Sequence, residues 1–223
     1  MAKTILTAKQ LDFLELIQRE PQITKRFYLT GGTALAEFYL KHRLSEDLDL
    51  FTEKEEVNQK LVEIFLKTKT SKIGVKKINK TQFLGLMTYF LIYNDGESLK
   101  VDFSYYPFPR IRKGKKYKNL MVDSVYDIAV NKLHTLFMKP RSRDYIDLYF
   151  MMKKYDYSLK KLRMDAKSKF DWDIDSLNLA NQLIKVKDYD HTESPKLLLP
   201  FKVDKMEKFF LRLAKDLKRE IFK

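Results

Sequence analysis

Acidic and apolar side chains alternate from Asp47 to Leu50 within the segment Glu46 to Thr52, which places Asp47, Asp49 and Phe51 on one side of an extended chain and Leu48 and Leu50 on the other. Successive side chains of a strand point to opposite faces, so this segment predicts a half-buried strand with two carboxylates on its open face. A chain built around such a strand needs a sheet with an apolar layer beneath it. Like charges this close repel unless a cation lies between them. A carboxylate pair suits Mg²⁺, which keeps waters and takes one or two carboxylates together with substrate phosphates. A second segment, Lys100-Val-Asp-Phe-Ser104, also alternates, with Val101 and Phe103 on one face and Asp102 on the other. If the two strands are neighbours, Asp102 joins Asp47 and Asp49. Three carboxylates can hold two metal ions about 3.5–4 Å apart, one activating an attacking hydroxyl and one steadying a leaving pyrophosphate.

Upstream, a short strand over residues 26–30 runs into Gly31-Gly32-Thr33, and a helix is predicted over 33–42. Glycines without Cβ let the backbone approach a phosphate, and the free N–H groups of the following helix point at the same place. Thr33 adds a hydroxyl donor. A Gly-Gly pair or an Asp-X-Asp taken alone also occurs in ordinary turns and solvent-facing strands. Order and spacing together, with a third acid on a later strand, favour a metal site.

Elsewhere Thr7 and Gln10 have capping-box spacing ahead of Leu11, Leu14 and Ile17, and Pro21 is expected to stop that helix. A helix is predicted over 55–69 and strands over 71–79, 82–93 and 98–105, the last two joined at Asn94-Asp95-Gly96. Pro107 and Pro109 then lead into a basic loop, residues 110–118. Ser124 and Asp127 have the spacing of another capping box. The rest reads as helical: a helix after Ser124, then 142–155, 159–170, 176–187 and 203–222. This gives two domains, 1–119 with the strands and 120–223 with helices alone.

The formal charge of +14 over 223 residues suits a polyanionic partner, or is the solvated surface of a lysine-rich protein. The absence of cysteine excludes disulfides, thiolate metal sites and a cysteine nucleophile. No segment is long and apolar enough to span a bilayer, so no membrane association and a soluble, cytoplasmic protein are expected. His42, His134 and His191 are too scattered for a metal cluster, and no serine has a hydrolase elbow pattern.

The blocks Gly31-Gly32-Thr33-Ala34-Leu35, His42-Arg43, Ser45 and Asp47-Leu48-Asp49-Leu50-Phe51 resemble the AbiEii/AbiGii group of nucleotidyltransferase toxins. Val101-Asp102-Phe103 is similar to that group's third-carboxylate strand. The stretch from Asp127 through Lys132 resembles its lysine-bearing helix, and Arg143-Asp144-Tyr-Ile-Asp147 its Arg-Asp-x-x-Asp signature. The resemblance covers about residues 24 to 152. It implies an α+β fold: a polymerase-β-like nucleotidyltransferase core, a mixed sheet with flanking helices, followed by a C-terminal helical bundle. It also implies transfer of a nucleoside monophosphate from an NTP with Mg²⁺ or Mn²⁺, on RNA such as a tRNA 3′ end. The setting is a toxin–antitoxin or abortive-infection system with a cognate antitoxin protein. Asp47, Asp49 and Asp102 become the catalytic metal ligands. Gly31, Gly32, Thr33, Arg43, Ser45, Lys132, Asp144 and Asp147 become the nucleotide-binding set.

Each of these residues also has a plainer reading. Lys132 binds triphosphate, or is a surface lysine on an otherwise apolar helix. Asp144 and Asp147 share a helix face and position Lys132, Arg141 or a substrate hydroxyl, or are surface acids near a helix start. Arg43 and Ser45 touch phosphate, or Arg43 pairs with Glu46. Tyr105, Tyr106 and Phe108 beside the basic loop suit stacking on single-stranded RNA, or belong to the core. For the whole chain the alternatives are a nucleotidyltransferase acting on a protein or small molecule, and a non-catalytic module binding RNA or a partner.

Overall fold

The structure, a computed structural model, describes residues 4–188 and 194–221. The chain divides between Ser124 and Val125 into two compact units.

In the first unit, helix α1 spans Ala8–Ile17 and buries Phe13, Leu14 and Ile17 completely. Its start is the expected capping box: the Gln10 amide donates to Thr7 Oγ1 at 3.2 Å, and the Thr7 amide donates to Gln10 Oε1 at 3.0 Å. The same Gln10 side chain donates to the carbonyls of Ser45 and Glu46 at 2.7 and 3.0 Å. The cap of α1 therefore also pins the loop that enters the acidic strand. Pro21 does not stop α1, which ends at Ile17. It opens a second short helix, α2 (Pro21–Thr24), where its fixed φ fits and its missing N–H costs nothing.

Strand β1 (Tyr28–Thr30) leads into α3 (Gly31–Leu35), which continues as a π-helical turn over Ala36–Leu40. Lys41, at φ 53°, ends that turn. Strand β2 (Leu48–Thr52) and helix α4 (Gln59–Lys69) follow, α4 capped by Asn58 Oδ1 accepting from the Leu61 amide at 3.0 Å. Strands β3 (Val75–Phe83), β4 (Leu86–Tyr93) and β5 (Ser98–Tyr105) form a meander. The first of its turns lies at Leu84-Gly85, four residues later than the sequence places it. Leu84, and not the neighbouring Gly85, takes the left-handed φ there, at 49°, so the glycine does not mark the position that needs it. The basic loop ends in a small hairpin, β6 (Lys116–Tyr117) with β7 (Leu120–Val122), too short to show a period in the sequence.

Among the described residues the seven strands form one mixed sheet in the order β3-β4-β5-β2-β1-β7-β6. β2 is parallel to β5 and antiparallel to β1, and β1 is parallel to β7. Leu29, Leu48, Leu50, Val101 and Phe103 are fully buried beneath the sheet centre. Because β7 pairs with β1, and the Asp123 amide donates to the Leu29 carbonyl at 2.8 Å, residues 120–124 belong to the first unit rather than to the helical part.

The second unit holds α5 (Val125–Met138), α6 (Ser142–Tyr155), α7 (Leu159–Phe170), α8 (Ser176–Ile184, prolonged by a 3₁₀ turn to Asp188) and α9 (Val203–Ile221). Phe222, the expected end of the last helix, and His191 lie outside the described residues. Ile128, Leu133, Leu148, Met151, Leu179 and Phe210 are among its fully buried side chains. Among the described residues no helix is long and apolar enough to cross a membrane.

Candidate active site

The alternation over residues 47–51 places its side chains as extended backbone requires. Leu48 and Leu50 are buried, and Asp49 and Phe51 are half-exposed on the opposite face. Parallel pairing sets Asp49 directly against Asp102, and antiparallel pairing sets Thr30 against Asp49 on its other side. The strand leading into Gly31 and the strand carrying Asp102 thus flank the acid-bearing strand. Gly31 lies at φ 73°, and a Cβ there would fall 1.9 Å from Asp49 Oδ2. The space that glycine leaves open is the space the Asp49 carboxylate fills. Gly32 plays the same part for the next pair: a Cβ would meet Arg43 Nη2 at 2.7 Å and Ser45 Oγ at 2.8 Å. Arg43, almost fully buried, donates from Nη1 to the Leu44 carbonyl at 2.8 Å. Its guanidinium therefore sits at the Gly-Gly turn. Thr33 does not point away from the acids: its hydroxyl donates to the backbone carbonyl of Asp47.

Asp102 is held at both oxygens. Thr88, its partner on β4, donates to Oδ1 at 2.6 Å, and the Lys100 ammonium lies 2.8 Å from Oδ2. Lys100 also reaches Asp47 Oδ2 at 3.0 Å, so Asp47 and Asp102 share one ammonium. Burial pulls the Lys100 pKa down, but the hydrogen bonds to Asp102 and then Asp47 outweigh it, and the group titrates above an ordinary lysine. Among the described residues no three histidine, aspartate or glutamate side chains are gathered as metal ligands; Asp47 and Asp102 close on Lys100 instead.

The remaining candidates lie in the second unit. Lys132, on α5, is 2.6 Å from Asp144 Oδ1 and 2.7 Å from Asp147 Oδ2, both on α6 and both fully buried. The spacing that put Asp144 and Asp147 on one helix face brings both onto a single cation. Arg141 adds a second cation to Asp144, with its Nε 2.9 Å from Oδ2. Burial alone would raise the Asp144 pKa, yet the Lys132 charge and the Arg141 hydrogen bond hold it below the ordinary aspartate value. Asp127, expected at a capping box, is buried against Lys169 Nζ at 3.0 Å. His134 stacks on Phe170, and burial lowers its pKa.

Much of the basic loop's charge is already engaged within the first unit. Arg110 donates from Nε and Nη2 to the Glu53 carboxylate at 3.0 and 3.2 Å and lies 4.1 Å over the Tyr28 ring. Lys115 donates to the Phe38 carbonyl at 2.7 Å, and Lys118 binds Glu15 at 2.5 Å. Tyr106 packs between Phe51 and Phe108, with ring centroids 4.8 and 4.9 Å away.

A mixed sheet that places a Gly-Gly turn against two aspartates in register has the nucleotidyltransferase fold of the polymerase-β-like kind. The structure of a candidate nucleotidyltransferase from H. pylori superposes with a TM-score of 0.64, covering 96% of this chain and 97% of its own at 20% identity. JHP933 from Helicobacter pylori gives 0.57, covering 96% and 94% at 19% identity. The chain belongs to the family of the nucleotidyl transferase AbiEii toxin, Type IV TA system, whose family model matches residues 15–216. That match extends well past residue 152, where recognisable motifs end. The uncharacterized protein aq_aa25 of Aquifex aeolicus strain VF5 is 29% identical over 197 residues, 87% of this chain and 89% of its own.

Proposed function

We propose that the protein is a metal-dependent nucleotidyltransferase that moves a nucleoside monophosphate from an NTP to RNA, such as a tRNA 3′ end, and acts as a toxin restrained by a cognate antitoxin. The observation that carries this reading is the register of β2 and β5, which sets Asp49 beside Asp102 with the Gly31 turn packed on Asp49. The donor set fits Mg²⁺, or Mn²⁺ in its place: Asp47, Asp49 and Asp102 supply only oxygens, and Gly31 leaves the space that the Asp49 carboxylate occupies. A divalent cation held there would neutralise charge developing on the transferring phosphoryl group.

The chain's own residues supply the rest. Gly31 and Gly32 let backbone N–H groups approach the phosphates, and the Arg43 guanidinium and Ser45 hydroxyl beside Gly32 bind phosphate oxygens. Thr33 fixes the backbone at Asp47, and Thr88 orients Asp102. Lys132, positioned by Asp144 and Asp147, belongs to the nucleotide-binding set in the same reading. The test is incubation with each labelled NTP, Mg²⁺ and total cellular RNA, for the wild type and Asp49→Ala. Wild type is expected to label RNA and Asp49→Ala to fall by at least about a hundredfold, a loss of several kcal/mol of transition-state stabilisation. Label on protein or a small molecule moves the acceptor. A folded Asp49→Ala that transfers as well as wild type refutes the site, and a wild type that transfers nothing points to a binding module.

A further inference from the structure

Two of the carboxylates assigned above to a divalent cation already share a cation, and it is covalently part of the chain. Lys100 lies two residues before Asp102 on the same strand, so alternation puts both on one face. Its Nζ is 3.0 Å from Asp47 Oδ2 and 2.8 Å from Asp102 Oδ2. Asp102 is fixed from its other oxygen by Thr88 and is almost fully buried, whereas the Lys100 side chain keeps a third of its surface exposed. The acid is therefore the fixed partner and the ammonium the movable one, since four methylenes and an open flank let it swing aside without disturbing β5.

We propose that Lys100 is an internal counter-ion of the site, neutralising Asp47 and Asp102 in the metal-free protein and giving way when a divalent cation binds. The inference rests on the metal-dependent reading. Without Lys100, Asp47 and Asp102 would face each other across the site with no shared cation, a repulsion paid by the metal-free fold. With it, an incoming cation competes with a tethered ammonium for the same two oxygens. Lys100 thereby lowers metal affinity below what the bare carboxylates would give, and it makes loading depend on cation concentration. A doubly charged ion coordinated through oxygen wins that competition once it is abundant enough.

The test is direct Mn²⁺ titration without nucleotide, reading free Mn²⁺ by electron paramagnetic resonance, for the wild type, Lys100→Met and Asp102→Asn. Lys100→Met should bind Mn²⁺ at least about tenfold more tightly than wild type, because a competing charge within contact distance is gone. Its melting temperature without metal should fall, and saturating Mn²⁺ should restore it. Lys100→Gln keeps a polar side chain of similar reach and should shift binding in the same direction should the methionine variant fold poorly. Binding by Lys100→Met alone, with wild type silent, also supports the proposal. If wild type binds, Asp102→Asn does not, and neither Lys100 variant binds more tightly, the counter-ion role is refuted while the metal site stands. If no variant binds Mn²⁺, the metal reading fails and the inference fails with it.

Discussion

Gly31→Ala tests the geometry of the site with a single methyl group. Gly31 has φ 73°, in the left-handed region, where an L residue pays about 1–2 kcal/mol. The new Cβ would stand 1.9 Å from Asp49 Oδ2 and 2.7 Å from its Cγ. Heavy atoms pack at about 3.5–4 Å, so the carboxylate has to retreat by more than about 1 Å. Overpacking of this kind costs about 1–3 kcal/mol. Gly96 is the matched control, with φ 86° and nothing within 4 Å of an added Cβ. Gly96→Ala should therefore cost only the backbone share, about 1–2 kcal/mol, and Gly31→Ala about 2–5 kcal/mol. Asp49→Ala removes the two closest contacts and leaves its own Cβ at 3.0 Å, so in the Gly31→Ala background it should recover about 1–3 kcal/mol. Hydrogen exchange of the β1 and β2 amides reads the first unit, whereas the single tryptophan, Trp172, reports on the second. Nucleotide transfer by Gly31→Ala should drop about a hundredfold, the usual consequence of a 1 Å misplacement. A Gly31→Ala protein no less stable than Gly96→Ala, with no coupling to Asp49, would refute the packing of Asp49 on the glycine turn.

Lys132→Met should destabilise the second unit by about 3–5 kcal/mol, because it takes the shared cation from two fully buried carboxylates. Denaturant unfolding followed by Trp172 fluorescence reads it, and unchanged stability would make Lys132 a ligand-binding group alone. The Asp144 pKa is held down in the fold, so its contribution to stability is complete above the unfolded value of about 4 and is lost as pH falls through the lower folded value. Asp144→Asn should be less stable at neutral pH and lose less between about pH 4 and 2; parallel wild-type and variant curves over that window would contradict the assignment.

The parts of the fold legible in the sequence are those where one period and its end signals agree. Strand 98–105 and helices 142–155 and 159–170 begin and end where the pattern places them, the last with Ser158 as its cap. The β6–β7 hairpin was hidden because strands of two and three residues carry no period. The β3–β4 turn was displaced because β3 is an exposed edge with little buried face to set its phase. The expected helix over 33–42 begins earlier, at Gly31, and changes to π geometry midway, which no composition rule marks. In the site, alternation alone was enough to put Asp49 and Asp102 on the faces opposite Leu50 and Phe103, but not to make their strands neighbours or to foresee that Asp102 is buried; both come from the sheet order. Lys100 went unread although it shares the Asp102 face, because a search for cation ligands passes over a cation. The pairing of Lys132 with Asp144 and Asp147 was one of four readings open for those acids, and the packing of α5 against α6 brings it about, with Arg141 joining at Asp144.

The order of the strands also fixes when the site comes into being. β1 and β2 are made early and pair through a local antiparallel contact, but the neighbour that brings Asp102 to Asp49 is parallel and some fifty residues further along the chain. A parallel pair cannot close through a tight turn, and its loop entropy is spent before any contact rewards it. As the chain leaves the ribosome, the glycine turn and Asp49 can be in place while the third carboxylate is still unsynthesised or unpaired. Any nascent fragment ending before β5 holds Asp47 and Asp49 but lacks the strand that carries Asp102 and joins β2 to β4. The site is thus completed late, when β5 takes its place beside β2.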